Sequence, residues 1–174
     1  MLRGNRLKET KLAQRGRQMT KKIDLDSAKT VTGSRYPPPY GEPCMGRCRR
    51  YLGDAAGLTD FGVNLTRLPA GGWSSQRHWH TAEDEFIYVV EGELVLVTDS
   101  GEEVLRAGDC AGFKAGTPDG HHLQNRTAKD AVFLEVGSRR PDEDEVAYPG
   151  IDLKAPKGGA GFVHTDGRPY AAAQ

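Results

Sequence analysis

The sequence predicts an all-β chain folded as an antiparallel sandwich or barrel. Three observations lead there. Short runs with period-two alternation recur at close intervals; glycine and asparagine-type turns separate them; and no segment carries a sustained apolar stripe at helical spacing. The 22 glycines and 10 prolines in 174 residues suit many turns between short strands better than a helix bundle.

The elements follow in order. Phe61, Val63 and Leu65 alternate with polar or small residues and predict a half-buried strand ending near Pro69. Gly71-Gly72 is a turn. Glu85 to Val90 and Glu93 to Thr98 are strands divided by Glu91-Gly92. Asp99-Ser100-Gly101 reads as a hairpin turn, and Ala107-Gly108-Asp109 as another before Cys110 to Phe113. His121 to Asn125 and Ala131 to Val136 are the last strand candidates. Four regions result: a basic leader at 1–22, an extended arm at 23–56 stiffened by the prolines of 37–43, a barrel at 57–137, and a loop and tail at 138–174 that opens with the acidic run Pro141 to Glu145.

Composition excludes several function classes. The longest apolar run, Phe86 to Val90, is five residues, against about 20 for a membrane-spanning helix. Cys44, Cys48 and Cys110 cannot all pair, and Cys44-x3-Cys48 is not a zinc or redox spacing, so the thiols are expected reduced and the chain cytoplasmic. The total charge is zero, but residues 1–22 hold eight basic side chains and one acidic, leaving 16 basic and 23 acidic in the rest. An acidic body is a poor match for phosphodiester backbones, and no nucleic-acid partner is expected. The leader lacks an apolar stripe and reads as a disordered extension, with Met19 resembling a natural start.

Chemistry concentrates between positions 78 and 122, where four of the five histidines lie. His78 and His80 are two apart, which on a strand aims both imidazoles at one face. Glu85 opens the next strand and reaches back beside them. His121 opens a later one. Three imidazoles and a carboxylate suit one divalent transition metal (Fe, Mn, Ni, Co, Cu or Zn), with positions left for water or substrate. Glu83 and Asp84 compete with Glu85 but read as a solvated loop. Tyr88 is out of phase with Glu85 and should point away. Gln76, two before His78, and Asn125, four after His121, share the ligand face and are candidates for the substrate pocket, although a turn-stabilising role suits Asn125 equally. His164 has no partner by spacing.

Gly72-x5-His78-x-His80-x4-Glu85-x6-Gly92 resembles the first motif of the cupin superfamily, and Gly108-Asp109, Gly116 and His121-x3-Asn125 resemble the second. The resemblance covers about 57–137, and the flanks, including the Gly-Asp-Ala-Ala-Gly-Leu stretch from Gly53, are similar to stand-alone, single-domain bacterial cupins. It implies a small antiparallel β-barrel or jelly roll with His78, His80, Glu85 and His121 as metal ligands. The second motif departs from the pattern. Lys114 stands where a proline is usual, and four residues separate Gly116 from His121. In the other register Pro118-x-Gly120 supplies the proline and glycine, and His122 is the ligand. The spacing to Asn125 favours His121, and adjacent strand residues face opposite ways, which would leave His122 outside the pocket.

Two functions follow as expectations. One is a metal-dependent enzyme on a small organic substrate, with dioxygenase, isomerase, decarboxylase and lyase chemistry all open on this fold. The other is a small-molecule-binding or sensing module without catalysis. The resemblance also implies a homodimer, with the aromatic arm from Tyr36 to Tyr40 a candidate for exchange between copies.

Overall fold

The computed structural model describes residues 22–159 and 161–170. Almost all of the expected basic leader lies outside them. The strands are β1 (Thr30–Thr32), β2 (Cys48–Tyr51), β3 (Phe61–Leu68), β4 (Trp79–His80), β5 (Glu85–Glu91), β6 (Glu93–Thr98), β7 (Gly101–Arg106), β8 (Cys110–Phe113), β9 (His122–Gln124), β10 (Ala131–Ser138), β11 (Val146–Ala147) and β12 (Lys154–Ala155). A single-turn helix, α1 (Leu52–Ala55), joins β2 to β3. No helix among the described residues is long and apolar enough to cross a membrane.

One wall of the barrel is a six-stranded sheet in the order β1-β2-β3-β10-β5-β8. The other is assembled from β7-β6-β9 and β12-β11-β4, stitched by the isolated pairings Trp73↔Gln124 and His78↔His121. Every pairing is antiparallel, and the arrangement is a jelly roll. The segment expected as an extended arm therefore contributes β1 and β2 to the main sheet. Its aromatic part folds on its own barrel, with Tyr36 packed on Tyr148 and Phe162, and Tyr40 on Tyr170.

Where β5 ends, the chain must pass from one wall to the other within a single residue. Gly92 makes that corner at φ +82, and a Cβ there would stand 3.0 Å from Ala131. Both the backbone sign and the close approach require glycine. Beyond it, β6 and β7 form a hairpin in which Thr98 pairs with Gly101 across a two-residue loop, as the Asp99-Ser100-Gly101 signal predicts.

The apolar core sits at one end, where Leu68, Val89, Leu94, Leu105, Leu123 and Phe133 meet. Full burial of a side chain of this size contributes about 1.5–3 kcal/mol. The same strands behave differently toward the other end. On β3 the buried residues are Thr66 and Leu68, whereas Phe61 is exposed. On β5, Ile87 and Val89 point in while Phe86, Tyr88 and Val90 are exposed. The alternation expected for Phe61, Val63 and Leu65 is present, but it marks the outer face of the sheet. The inner positions at this end, Glu85 and Glu135 among them, line a cavity.

Candidate metal centre

The polar end is built from rows of paired residues. Asn64, Glu135, Ile87 and Ala111 stand in one row across β3, β10, β5 and β8. Gly62, Gly137, Glu85 and Phe113 stand in the next. Two glycines stand in the second row; a Cβ at Gly137 would meet the Glu85 side chain at 3.8 Å, and one at Gly62 the Arg139 guanidinium at 3.5 Å. Opposite it, His78 pairs with His121, and His80 lies two residues on in β4.

These placements bring three imidazoles onto one carboxylate oxygen. Glu85 Oε2 is 2.9 Å from His121 Nε2, 3.5 Å from His80 Nε2 and 3.6 Å from His78 Nε2. Donor atoms of His78, His80 and Glu85 all lie within 4.8 Å of one another. His121 joins them through its bond to Glu85, and Phe113 stacks on its ring at 3.6 Å.

The outer nitrogens fix the ring orientations. His78 Nδ1 faces the Gln76 carbonyl at 2.9 Å. A carbonyl only accepts, so Nδ1 carries the proton and Nε2 presents a lone pair to the centre. His80 Nδ1 donates likewise to Asp144 Oδ2 at 2.6 Å. The other Asp144 oxygen accepts from the amides of Ala82 and Glu83 at 2.8 and 3.2 Å, which anchors the carboxylate. His121 differs, because its Nε2 is spent on Glu85 while Nδ1 is 3.4 Å from the Asp119 carbonyl. Moving its proton to Nδ1 would free Nε2 and keep a partner for the N–H.

Electrostatics suit a cation. Burial pushes His78 down to about 4, reinforced by the other two imidazoles and opposed by Glu85, so its ring is neutral at physiological pH. Burial would raise Glu85, but the His121 hydrogen bond and the surrounding imidazoles prevail and hold it at about 2. The donor set thus offers a neutral imidazole at His78 and an ionised carboxylate at Glu85, with the lone pairs of His78 and His80 pointing inward and their outer protons held, and His121 would join it once its proton moves to Nδ1. Such a set fits a divalent transition metal.

Several sequence-based expectations need correction. Asn125 is not part of the pocket. Its Nδ2 donates to the Leu68 and Lys129 carbonyls at 2.8 and 2.7 Å, and its Oδ1 accepts from the Thr127 amide and hydroxyl at 3.0 and 2.9 Å. Its hydrogen-bonding capacity is fully used in closing the loop before β10. The Gln76 side chain also turns away, donating to the Tyr40 carbonyl at 2.6 Å and tying down the 36–40 segment. Only its backbone carbonyl serves the centre. His122 is not an outward surface residue: it is buried against Trp73, with Nδ1 on the Ser75 carbonyl and Nε2 accepting from Gln124. Glu83, expected in a solvated loop, is half-buried and lies with His80 and Asp144 in a second group of potential ligands. Asp84 is exposed and bonded to Lys114 at 2.8 Å. His164 pairs with Asp152 at 2.7 Å and stacks on Tyr170, a knot in the tail.

Asp144 and Tyr148 were not singled out from the sequence. Asp144 comes from the acidic run 141–145, 64 residues after the histidine it orients, and no local pattern marks it among its acidic neighbours. Tyr148 stacks on His78 at 5.8 Å between ring centres. Burial raises its hydroxyl well above the ordinary phenol value. The centre opens into a solvent-open cavity of about 940 Å³ and, through Trp79, Lys114 and Thr117, onto a smaller one of about 210 Å³.

Comparison with known proteins agrees with this architecture. The family model described as the cupin domain matches residues 64–137. A crystal structure described as a sugar phosphate isomerase from a cupin superfamily, from Silicibacter pomeroyi, is 47% identical; the match covers 87% of this chain and 98% of that one, with a TM-score of 0.80. A structure from Acidithiobacillus ferrooxidans, provisionally described as a sugar phosphate isomerase, is 27% identical over 74% of this chain and 81% of that one, with a TM-score of 0.64. The polyketide cyclase RemF from Streptomyces resistomycificus, 23% identical over 76% of this chain and 87% of that one at a TM-score of 0.60, shares the fold. Comparison with the curated proteins finds no match.

Proposed function

This chain belongs to the cupin superfamily, and on that footing we propose that it is a metal-dependent enzyme holding one divalent transition metal per protomer and isomerising a small oxygenated organic substrate. His78, His80, Glu85 and His121 would hold the ion. The observation that carries the reading is the convergence of three imidazole Nε2 atoms on Glu85 Oε2 at 2.9–3.6 Å. The isomerase assignment, among the dioxygenase, decarboxylase and lyase alternatives, is supported by the 47% identical relative described as a sugar phosphate isomerase. A bound divalent ion supplies Lewis acidity, polarising a substrate oxygen.

The protein's own groups complete the site. Asp144 and the Gln76 carbonyl hold His80 and His78 with their lone pairs inward. Tyr148 keeps its proton, and its hydroxyl pairs with Tyr36 at the wall of the large cavity. Phe113, stacked on His121, shields one side of the centre from water.

A homodimer and a cytoplasmic location belong to the same proposal. The exposed Phe86, Tyr88, Val90 and Phe61 share the outer face of the main sheet, an apolar surface that a second copy would cover. The three free cysteines suit a reducing compartment. Sedimentation equilibrium checks the first of these.

The function is tested by metal analysis of protein purified without added metal and again after reconstitution, followed by NMR of aldose and ketose phosphates with the loaded protein. The expected result is about one ion per chain and interconversion of one substrate pair. Failure to retain metal would overturn the metal reading. Stoichiometric metal with saturable binding and no turnover would instead indicate a non-catalytic binding module.

A further inference from the structure

The large cavity contains a feature that the metal centre does not use. Arg47 and Arg49 both enter it from β2 and the turn before it. Arg49 is ion-paired with Glu135, Nε to Oε2 at 2.8 Å, and Asn64 Nδ2 reaches the same carboxylate at 3.4 Å. That pair is electrically closed. Arg47 is not. Its Nη1 donates to the Ser74 carbonyl and its Nη2 to the Gly33 carbonyl at 3.2 Å. Its Nε, like that of Arg49, is buried without a hydrogen bond of good geometry, but among the described residues no carboxylate forms a salt bridge with the Arg47 guanidinium. The acid whose charge reaches it, Glu135, is already bound to Arg49. Two guanidinium groups and one carboxylate thus leave one positive charge on this side of the cavity, Glu85 being held within the histidine cluster. Across the whole cavity, five cationic side chains stand against three carboxylates, and one of the five, Arg139, is ion-paired with Asp54 outside it.

A desolvated charge without a counter-ion is costly, and a buried donor without an acceptor adds to that cost. The guanidinium fork matches a carboxylate or phosphate, the groups that would satisfy both. Arg47 also lies beside the chemistry. Its charge acts on Tyr36 and Tyr148, these two rings meet edge to face, and Tyr148 stacks on His78.

We infer that Arg47 is the anion-binding residue of the substrate pocket, so that the substrate is a small organic anion, a carboxylate or a phosphate monoester, whose charged end sits at Arg47 while its reacting oxygens face the histidine cluster. The second clause rests on the metal-enzyme reading; the anion subsite itself does not.

The test is calorimetric titration of the full chain with inorganic phosphate and, separately, malonate, in chelator-treated and metal-reconstituted protein. At least one anion is expected to bind saturably without metal. Arg47→Met should weaken it by at least about tenfold, the loss expected for a charge-assisted hydrogen bond. Arg47→Lys, which keeps the charge but loses the fork, should fall between the two. Preference for phosphate or malonate assigns the charged group. If Arg47→Met does not fold, the ¹⁵Nε–H signal of Arg47 in the wild-type chain gives an independent reading, and it should shift on titration. Equal binding by wild type and Arg47→Met, an unmoved Nε–H signal, or no saturable binding by the wild type would overturn the inference. Binding that requires metal and ignores Arg47 would place the anion at the ion, which defeats the subsite and leaves the metal reading standing. Arg47-dependent binding in a chain that never retains metal would do the reverse.

Discussion

The apolar end and the polar end of the barrel are made by the same strands, a few residues apart. On β10, Phe133 is buried in the core while Glu135, one strand repeat later, faces Arg49 and Asn64. On β5, Val89 and Ile87 belong to the core and Glu85 to the histidine cluster. Leu123 is in the core and His121, two residues before it, is in the cluster. The pleat fixes which residues point inward along the whole strand, so residue type alone switches the interior from packing to chemistry. The packed apolar end can thereby hold the groups at the other end in place, with Ile87, Leu123 and Phe133 also forming part of the cavity wall.

That division is broken most directly by exchanging which end is damaged. His78→Ala should abolish stoichiometric metal retention, because an imidazole with a lone pair aimed at the centre has no neighbour able to replace it; elemental analysis reads this. His121→Ala should do the same, and His122→Ala, whose two nitrogens are already committed, should keep the ion. Retention by His121→Ala would reduce the site to His78, His80 and Glu85. At the other end, Phe133→Ala should cost about 3–5 kcal/mol in chemical unfolding. The folded fraction should nonetheless bind metal normally. If Phe133→Ala lost metal while folded, the two ends would not be separable in the way their packing implies.

Much of this architecture was legible in the sequence, for reasons that differ by residue. The period-two alternation and the glycine turns located β3, β5, β6, β8, β9 and β10, and the turns at Asp99-Ser100-Gly101 and Ala107-Gly108-Asp109 bracketed β7 without marking it as a strand. β4, β11 and β12, two residues each, are defined by their partners and leave no local mark. The arm's strands β1 and β2 were missed because Arg49 and Arg50 on β2 do not read as a strand until their cavity and surface partners are known. His78, His80, Glu85 and His121 stood out through spacing, whereas Asp144 reaches His80 only through the tertiary fold. Asn125 was ambiguous for a physical reason: the same amide can meet a substrate or close a loop, and only its four hydrogen bonds decide.

Asn125 therefore offers a sharper, smaller test. Asn125→Ala would leave the buried Leu68 carbonyl without its side-chain donor, while the Lys129 carbonyl would keep the Thr127 hydroxyl. The expected loss is about 1–3 kcal/mol in unfolding free energy, with metal content unchanged after refolding. A change in anion or substrate affinity without a loss of stability would return Asn125 to the pocket.

The smallest effect expected on stability is also the most specific to the polar end. Asp144→Asn preserves shape, and the new side-chain oxygen can still accept from the Ala82 and Glu83 amides. What changes is the atom facing His80 Nδ1, now an amide nitrogen carrying two hydrogens. Two donors cannot share that 2.6 Å contact, so the ring is driven toward the tautomer with its proton on Nε2, where the ion would bind. Loss of an orienting partner of this kind typically weakens metal affinity about 10–100-fold. Competition with a fluorescent chelator should show that loss while the unfolding midpoint moves little, because the loop anchors remain. Asp144→Glu would not rescue it, since the extra methylene displaces the carboxylate from both amides. An equal fall in stability and affinity would instead mean that Asp144 serves the loop first and the centre only by consequence.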